Sequence, residues 1–253
     1  MAERMIVTVC GRAGSKGFKN KNLKTFCAKP LVHYTLSAVE LFVKQRPDLE
    51  VDLVLNTDSG LLRDLVCGVY PEATHLQRPA ALGGDSVPKL AVFQHSLQVM
   101  EEKRGKPYDY LMDLDITSPL RTAADVYGCY DMLRERPELD LVMSAVKSRR
   151  NPYMNMAQRE DGRARQVIKS TVVARQQAPQ CYDLNASIYV FRRAFLAENS
   201  SGLIWDAACD LYEMLDTAVL DIDSEEDFQL MEIIARHLYA ARPDFAEVRE
   251  NIR

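Results

Sequence analysis

The stretch MIVTVC (5–10) runs directly into GRAGSKGFKNKN (11–22), and this junction decides the fold. A short apolar run of this kind is typical of a strand buried on both faces of a parallel sheet. The loop after it holds three glycines and four cationic side chains in twelve residues. Glycines let backbone N–H groups approach an anion, and the cations neutralise it. The junction therefore predicts a polyphosphate site at the end of a first strand.

The loop departs from both common phosphate-binding fingerprints. Ala13 interrupts a G-x-G-x-x-G pattern, and G-x-x-x-x-G-K-[ST] does not occur. The alternative interpretation is a solvated basic surface loop. Four cations placed directly after the first strand of an α/β sheet favour the anion site over that alternative.

Outward from this junction, strand-like runs alternate with amphipathic stretches. We predict strands over 51–56, 110–115, 139–146, 187–193 and 217–223, and helices from Pro30 and over 60–69, 87–102, 123–135 and 224–242. Ser224 with Asp227 three residues later predicts a capping box at the last of these helices. This alternation indicates an α/β fold with a mostly parallel sheet and helices on both faces. Residues 243–253 are expected to form a surface tail.

One segment breaks the alternation. Residues 148–182 are rich in Arg, Gln and Asn and contain no long apolar run. We therefore predict a core formed by 1–147 and 183–253, with 148–182 as an arm. In a parallel sheet the ligand site lies outside the carboxyl ends of the strands. The polar clusters after the predicted strands all fit that position.

Composition excludes several classes of protein. The 253 residues are 47% hydrophobic and 27% charged, and 32 basic against 36 acidic residues leave a net charge of −4. That balance argues against a general nucleic-acid binder. The longest apolar runs are too short for a membrane span, and the N-terminus lacks the features of a signal peptide, so a cytoplasmic protein is expected. Six scattered cysteines and four histidines show no zinc-ligand spacing.

The segment LDIDSEED (220–227) carries a candidate metal site. Asp221 and Asp223 are two residues apart, so at an extended strand end both carboxylates face the same side. Mg²⁺ prefers a pair of such oxygens together with substrate phosphates. The alternative is helix capping, since acidic residues stabilise helix N-termini. The spacing leaves these two interpretations about equal, and the basic first loop favours Mg²⁺.

Two further motifs contain polar residues that are candidates for ligand binding. In DLDITSPLR (113–121), a cavity lining that includes Asp115 and Ser118 competes with a capped helix start. In QRPAALGGD (77–85), Arg78 and Asp85 flank a glycine pair that lets backbone approach a ligand. The second motif is a weak signal by itself.

Together with the first loop and KPLVHYTLSAV (29–39), these motifs resemble the acylneuraminate cytidylyltransferases, or CMP-sialic acid synthetases. The resemblance continues in order through NTD (56–58), RPAALGGD (78–85), TSPLR (117–121), RQQAP with YDLNASIYVF, and DIDSEEDF (221–228), and covers residues 5–235. It implies a Rossmann-like nucleotidyltransferase, a homodimer whose arm covers the partner's site, and Mg²⁺ as cofactor. The implied reaction joins CTP to a nonulosonic acid by in-line attack of the anomeric hydroxyl on the α-phosphate, releasing pyrophosphate.

The resemblance also implies roles for individual residues. The nucleotide would be bound by Arg12, Gly14, Ser15, Lys21, Asn22, Arg78 and Asp85. The sugar acid would be bound by Asp115, Ser118, Arg175, Gln176 and Asn185. Catalysis would depend on Arg12, Lys16, Lys21 and Asp221, and the metal ligands would be Asp221 and Asp223.

Two departures from the family pattern concern the acceptor side. Asp115-Ile116 stands where the sialic acid enzymes have Gln-Pro, which implies altered sugar contacts or a further metal ligand. The stretch SRRNPYMN (148–155) differs from the usual His-Pro version. We therefore expect a different nonulosonic acid, such as legionaminic acid. The alternatives are a 3-deoxy-manno-octulosonate cytidylyltransferase, a sugar-1-phosphate nucleotidyltransferase, and a non-catalytic nucleotide-sugar-binding module.

Overall fold

The computed structural model describes residues 2–14, 17–84, 87–219 and 221–253. Its strands are β1 (Glu3–Gly11), β2 (Thr25–Phe26), β3 (Lys29–Pro30), β4 (Leu49–Thr57), β5 (Thr74–Gln77), β6 (Tyr110–Leu114), β7 (Leu141–Lys147), β8 (Ala157–Glu160), β9 (Arg163–Gln166), β10 (Tyr182–Arg192) and β11 (Cys209–Glu213). Its α-helices are α1 (Leu31–Gln45), α2 (Gly60–Cys67), α3 (Lys89–Arg104), α4 (Ala123–Glu135), α5 (Arg193–Glu198), α6 (Glu225–Ala241) and α7 (Pro243–Glu250).

A sheet of seven strands in the order β11-β7-β10-β6-β1-β4-β5 forms the centre of the molecule. Strand β1 is parallel to both β4 and β6, whereas β10 runs antiparallel to β6 and β7. The remaining neighbours, β4 with β5 and β7 with β11, are parallel. The predicted mostly parallel sheet is confirmed, with β10 as its reversed strand.

Successive residues of β1 explain why helices cover both faces. Met5 and Val7 are fully buried against α1 and α4, whereas Ile6 is fully buried against α3. Because side chains alternate across a strand, the consecutive apolar residues from Met5 to Val7 must be covered on both sides of the sheet. Among the described residues, no helix is both long and apolar enough to cross a lipid bilayer.

Side-chain caps begin three of the predicted helices, among them α4, where Thr122 and Asp125 form a capping box. Ser224 Oγ accepts the Asp227 N–H while the Asp227 carboxylate accepts from Ser224 N, so the predicted capping box at α6 is confirmed. At α2 the cap is Ser59, whose side chain accepts the N–H of Leu62. These local bonds satisfy backbone donors that the helix itself leaves unpaired.

Two of the sequence-based predictions are wrong. The described residues of 217–223 form no strand, because Ala218 adopts a left-handed φ of 67° and its N–H bonds to the Asp216 carboxylate. The edge strand next to β7 is instead β11, over which we predicted no strand. Residues 243–250 form α7 rather than a surface tail, since Phe245 and Val248 are buried against the core.

The arm leaves the core between two paired strands. Lys147 at the end of β7 pairs with Tyr182 at the start of β10, and the hairpin of β8 and β9 lies between them. The arm carries partly exposed apolar side chains, of which Val173 is the most exposed at 85%. Its definition as a separate unit, 148–182 against a core of 1–147 and 183–253, stays a prediction.

Candidate active site

A polar cavity lined by described residues opens where β1 and β6 end. It has a volume of about 490 Å³. Its lining includes the predicted residues Arg12, Lys21, Asn22, Arg78, Asp115, Asp221 and Asp223, together with Cys10, Gly11, Lys89 and Thr117. The chain leaves β1 toward β4 on one side while β6 lies on the other, so the cavity occupies a switch point of the sheet.

The described residues of the first loop contact three other parts of the chain. At Gly11 a Cβ would lie 2.5 Å from the end of the Leu62 side chain, so a larger residue at the end of β1 would force Leu62 to shift. The N–H of Ala13 donates to Asp58 Oδ1 at 2.6 Å, and a Cβ on Gly17 would lie 2.9 Å from the Asp223 carbonyl oxygen. The loop is therefore held between the NTD motif and the acidic segment.

Lys21 joins the basic loop to the acidic segment. Its Nζ donates to the Ile222 carbonyl and to Asp223 Oδ1, both at 2.8 Å. The short 3₁₀ turn Lys21–Leu23 that carries it starts after Asn20, whose φ is 57°. An ammonium group held between these oxygens faces the same cavity as the carboxylates.

Arg78 forms a fixed cationic wall. It is buried, and its guanidinium donates from Nε to Asn56 Oδ1 at 2.8 Å and from Nη2 to the Asn56 carbonyl at 3.0 Å. Arg12 reaches the Gly83 carbonyl at 3.5 Å from the opposite loop. The NTD and RPAALGGD motifs thus act together, although they are about twenty residues apart in the sequence.

The two carboxylates of the acidic segment differ in their surroundings. Burial raises the pKa of Asp221 to about 6, and the negative charges of Asp223 and Asp115 contribute to the rise. Asp223 is exposed and paired with Lys21. Crowded anions at one wall are an arrangement that a bound cation relieves.

The carboxylates of this cavity fit the way in which Mg²⁺ usually binds to proteins. Among the described residues, no group of three or more His, Cys, Asp or Glu side chains is arranged as a complete metal cage. Mg²⁺ usually binds through one or two carboxylates and completes its shell with water and substrate phosphates. The hard oxygens of Asp221 and Asp223, facing a cavity with cationic walls, fit that mode.

A buried ion-pair cluster lies beside the acidic pair. Lys89 Nζ is 2.7 Å from Asp113 Oδ2 and 2.7 Å from Asp115 Oδ2. Burial alone would raise the pKa of Asp115, but the Lys89 ammonium and hydrogen bonds from Lys89 and Thr117 outweigh it and hold the pKa well below its usual range. Asp115 is therefore a permanent anion at the cavity wall.

Sequence reasoning missed Lys89, although the sequence contains a signal for it. Lys89 is the first residue of α3, directly after Pro88, and α3 has no side-chain cap. A cation in the first turn of a helix opposes the helix dipole. A residue placed against a local preference in this way is a candidate for a functional contact.

The remaining predicted residues lie elsewhere or outside the described part. Ser118 is buried, and its carbonyl accepts from the buried Arg121 at 2.5 Å. Asn185 is buried in the sheet, where its Oδ1 accepts from Ser144 Oγ at 2.6 Å. Arg175 and Gln176 are exposed on the arm, and Gly14 borders a small neighbouring pocket. Ser15, Lys16 and Asp85 lie outside the described residues, so their roles stay predictions.

Cys10 lines the cavity but is not suited to act as a nucleophile. Burial raises the pKa of its thiol far above the ordinary value, and the nearby Asp113 carboxylate adds to this. A thiol that stays protonated is chemically inert.

Comparisons with known proteins agree with this geometry. The sequence model of the cytidylyltransferase family matches residues 6–234. A Campylobacter jejuni protein named CMP-N,N'-diacetyllegionaminic acid synthase is 34% identical over 92% of this chain and 95% of its own length. The post-translational flagellin modification protein B of Campylobacter coli is 32% identical over 95% of this chain and 99% of its own. An N-acylneuraminate cytidylyltransferase of Streptococcus agalactiae is 24% identical over 88% of this chain and 51% of its own.

A solved structure shows the same architecture. The synthetase for CMP:2-keto-3-deoxy-manno-octonic acid, complexed with CTP, superimposes with a TM-score of 0.63 over 93% of this chain and 99% of its own, at 14% identity. At that identity the likeness concerns the fold alone. It confirms the predicted Rossmann-like α/β architecture.

Proposed function

The chain belongs to the cytidylyltransferase family, and from this premise we propose that it joins CTP to a nonulosonic acid and releases pyrophosphate. The observation that carries the proposal is that one cavity combines the cations Arg12, Lys21 and Arg78 with the carboxylates Asp221 and Asp223. A nucleoside triphosphate with its divalent cation needs both kinds of charge. The relative named as a diacetyllegionaminic acid synthase supports a legionaminic-type acid as the acceptor.

The proposed reaction needs positioning more than covalent participation by the protein. The anomeric hydroxyl oxygen of the sugar acid attacks the α-phosphorus, and the bond from that phosphorus to the bridging oxygen of the β-phosphate breaks. Arg12, Lys21 and Arg78 orient the triphosphate and offset its charge, which lowers the barrier to in-line transfer. Mg²⁺ bound at Asp221 and Asp223 would supply further charge neutralisation on the phosphate oxygens.

The position of the arm supports a proposal about the oligomeric state. Arg175 and Gln176 are exposed on the arm, away from the described lining of the cavity. We propose a homodimer in which each arm brings these two residues over the partner's cavity, where a planar guanidinium suits the sugar carboxylate. The free state of the cysteines and the use of CTP support a cytoplasmic, reducing location.

A pyrophosphate-release assay with CTP and Mg²⁺ tests the proposal. The acceptor panel contains N,N'-diacetyllegionaminate, N-acetylneuraminate, pseudaminate, Kdn and 3-deoxy-manno-octulosonate. We expect the highest kcat/KM with the legionaminate. A clear preference for N-acetylneuraminate would refute the acceptor, and a preference for the octulosonate would establish the alternative cytidylyltransferase. CTP binding without pyrophosphate release for any acid would indicate a non-catalytic module.

A further inference from the structure

The cluster of Lys89, Asp113 and Asp115 joins a helix start to the central strand β6. Asp113 lies within β6 and Asp115 follows its end, while Lys89 begins α3. The Lys89 ammonium also lies 5.6 Å from the centre of the Phe93 ring and 5.7 Å from that of Tyr189. Aromatic faces on these sides limit where the ammonium group can move. The cluster is therefore a fixed part of the cavity wall.

The buried carboxylate of Asp113 gives Lys89 a structural role in this cluster. Its side chain is 0% exposed, and its Oδ1 accepts from Thr8 Oγ1 at 2.8 Å. Within the described part of the chain, its Oδ2 has no hydrogen-bond donor, although Lys89 Nζ lies 2.7 Å away. A buried carboxylate needs a counter-charge, so Lys89 has a structural reason to be present. That reason does not explain Asp115.

Asp115 has hydrogen-bonding capacity to spare. Its Oδ1 accepts from the N–H and the hydroxyl of Thr117, both at 2.9 Å, and its Oδ2 accepts from Lys89 at 2.7 Å. An ionised carboxylate offers about four acceptor sites, of which the described residues occupy three. The side chain lines the cavity and is partly exposed. One acceptor site on Oδ2 thus remains for a ligand.

The charge at this position restricts the ligand. A carboxylate repels the triphosphate, and the adjacent Lys89 ammonium makes the position unfavourable for a metal cation. Asp115 and Asp221 line the same cavity, so Asp115 lies near the proposed site of phosphoryl transfer. A neutral donor near the attacking oxygen satisfies these conditions. The hydroxyl and amide N–H groups of a sugar acid are such donors.

We propose that Lys89 is a positioning residue that fixes Asp115 at the cavity wall, where Asp115 accepts a hydrogen bond from a hydroxyl or amide N–H of the sugar acid. This inference rests on the proposed function, because it takes the acceptor to be a nonulosonic acid. It decides between altered sugar contacts and a further metal ligand in favour of sugar contacts. It also assigns a role to Lys89, which the motifs did not indicate.

The test separates the structural role of Lys89 from its positioning role. Lys89→Met alone leaves Asp113 buried without a counter-charge, and this variant is expected to be unstable. The double variant Lys89→Met with Asp113→Asn removes one positive and one negative charge, so the net charge of the cluster is unchanged and no fully buried charge is left unpaired. The partly exposed Asp115 loses Lys89 but keeps its two hydrogen bonds from Thr117. Asp115→Asn tests the acceptor group directly. Lys103→Met, at an exposed position in the last turn of α3, is the matched control.

Binding of N,N'-diacetyllegionaminate is measured by calorimetry in the presence of a non-reactive CTP analogue, alongside the Kd of that analogue and the Tm. The double variant is expected to retain the wild-type Tm and nucleotide Kd but to bind the acid about 10- to 100-fold more weakly, the equivalent of one lost charge-assisted hydrogen bond. Asp115→Asn should weaken the same step, and Lys103→Met should change nothing.

Each result bears on the inference. A double variant that is stable and binds the acid as tightly as wild type overturns the inference, as does a wild-type protein that binds no sugar acid. If the wild type binds the acid but releases no pyrophosphate, the proposed function fails while the positioning role can still be judged. If the double variant does not fold, the acid Kd of Asp115→Asn decides.

Discussion

Asp221 and Asp223 face one cavity, but only Asp223 has a cation within ion-pair distance among the described residues. Lys21 Nζ lies 2.8 Å from Asp223, whose side chain is 72% exposed. Asp221 is partly buried and surrounded by other carboxylates, which is why its pKa is raised. A cation bound to the substrate phosphates would therefore be stabilised most by contact with Asp221.

We predict that Asp221→Asn lowers kcat for pyrophosphate release by at least about a hundredfold, because the charge that would hold the cation against the phosphates is lost. The measurement is steady-state turnover across a Mg²⁺ series. Glu226→Gln, at an exposed position in the first turn of α6, is the control and should leave turnover intact. Near-normal turnover of Asp221→Asn would remove Asp221 from the mechanism.

The burial of His33 predicts that the stability of the protein depends on pH. It is buried in α1, its Nε2 lies 3.2 Å from the Leu65 carbonyl, and burial lowers its pKa. The unfolded chain therefore takes up a proton at about pH 6.5 that the folded chain refuses, so stability is lost as the pH falls below that value.

We predict that His33→Gln, which keeps an N–H donor for Leu65, reduces the loss of unfolding free energy between about pH 7.5 and about pH 5.5. Urea denaturation at both pH values is the measurement. The same change at His237, which is exposed on α6, should leave the pH dependence as in wild type. An unchanged pH dependence in His33→Gln would show that His33 is not its source.

Site residues could be predicted from the sequence where the signal lies within one short motif, and not where it depends on contacts between distant residues. Lys21 could be found because it lies in the loop that directly follows β1. Asp223 could be found because it ends the stretch 217–223, which the sequence predicted as a strand. Lys89 could not be placed, since its partners Asp113 and Asp115 are more than twenty residues away and the pairing exists only after α3 packs beside β6. Asn185 carries a motif position, yet its buried bond with Ser144 is visible only in the folded sheet.

At the scale of elements, hydrophobic patterns located the central strands because those strands contain runs of apolar residues that are buried in the sheet. The pattern failed at the outer ones. Strand β11, with the sequence CDLYE, is only partly buried at four of its five positions and carries charges, so it resembles a loop. The apolar residues Val219 and Ile222 resemble a strand, yet they belong to an irregular segment that packs against α6.

The contact between α4 and β11 provides a prediction at this scale. A Cβ added at Gly128 would lie inside the van der Waals surface of the Tyr212 ring. Gly128→Ala should therefore destabilise the protein by about 1–3 kcal/mol despite the better helix propensity of alanine. Chemical denaturation measures the change, and Gly60→Ala in α2 is the control, because a Cβ there has room. Stability equal to wild type in Gly128→Ala would contradict the packing between α4 and β11.

At the scale of the whole molecule, a substitution in the arm tests the proposed homodimer. Val173 is the most exposed of its apolar side chains, and a second chain is the proposed cover. We predict that Val173→Asp shifts the protein from dimer to monomer in light scattering and weakens sugar-acid binding while CTP binding is retained. Leu230→Asp, exposed on α6, controls for surface charge. A wild-type monomer with full activity would contradict the proposed role of the arm.

The pairing of Lys147 with Tyr182 has a consequence for how such chains diversify. The two ends of the arm are already neighbours in the sheet, and the Ser148 N–H bonds to the Cys181 carbonyl at 2.9 Å just beyond them. Lengthening a segment whose ends are fixed in this way costs little additional closure entropy. The arm can therefore be lengthened, shortened or exchanged during evolution while the cavity over β1 and β6 keeps its geometry. The acceptor contacts proposed for the arm can thus change independently of those proposed for the core cavity.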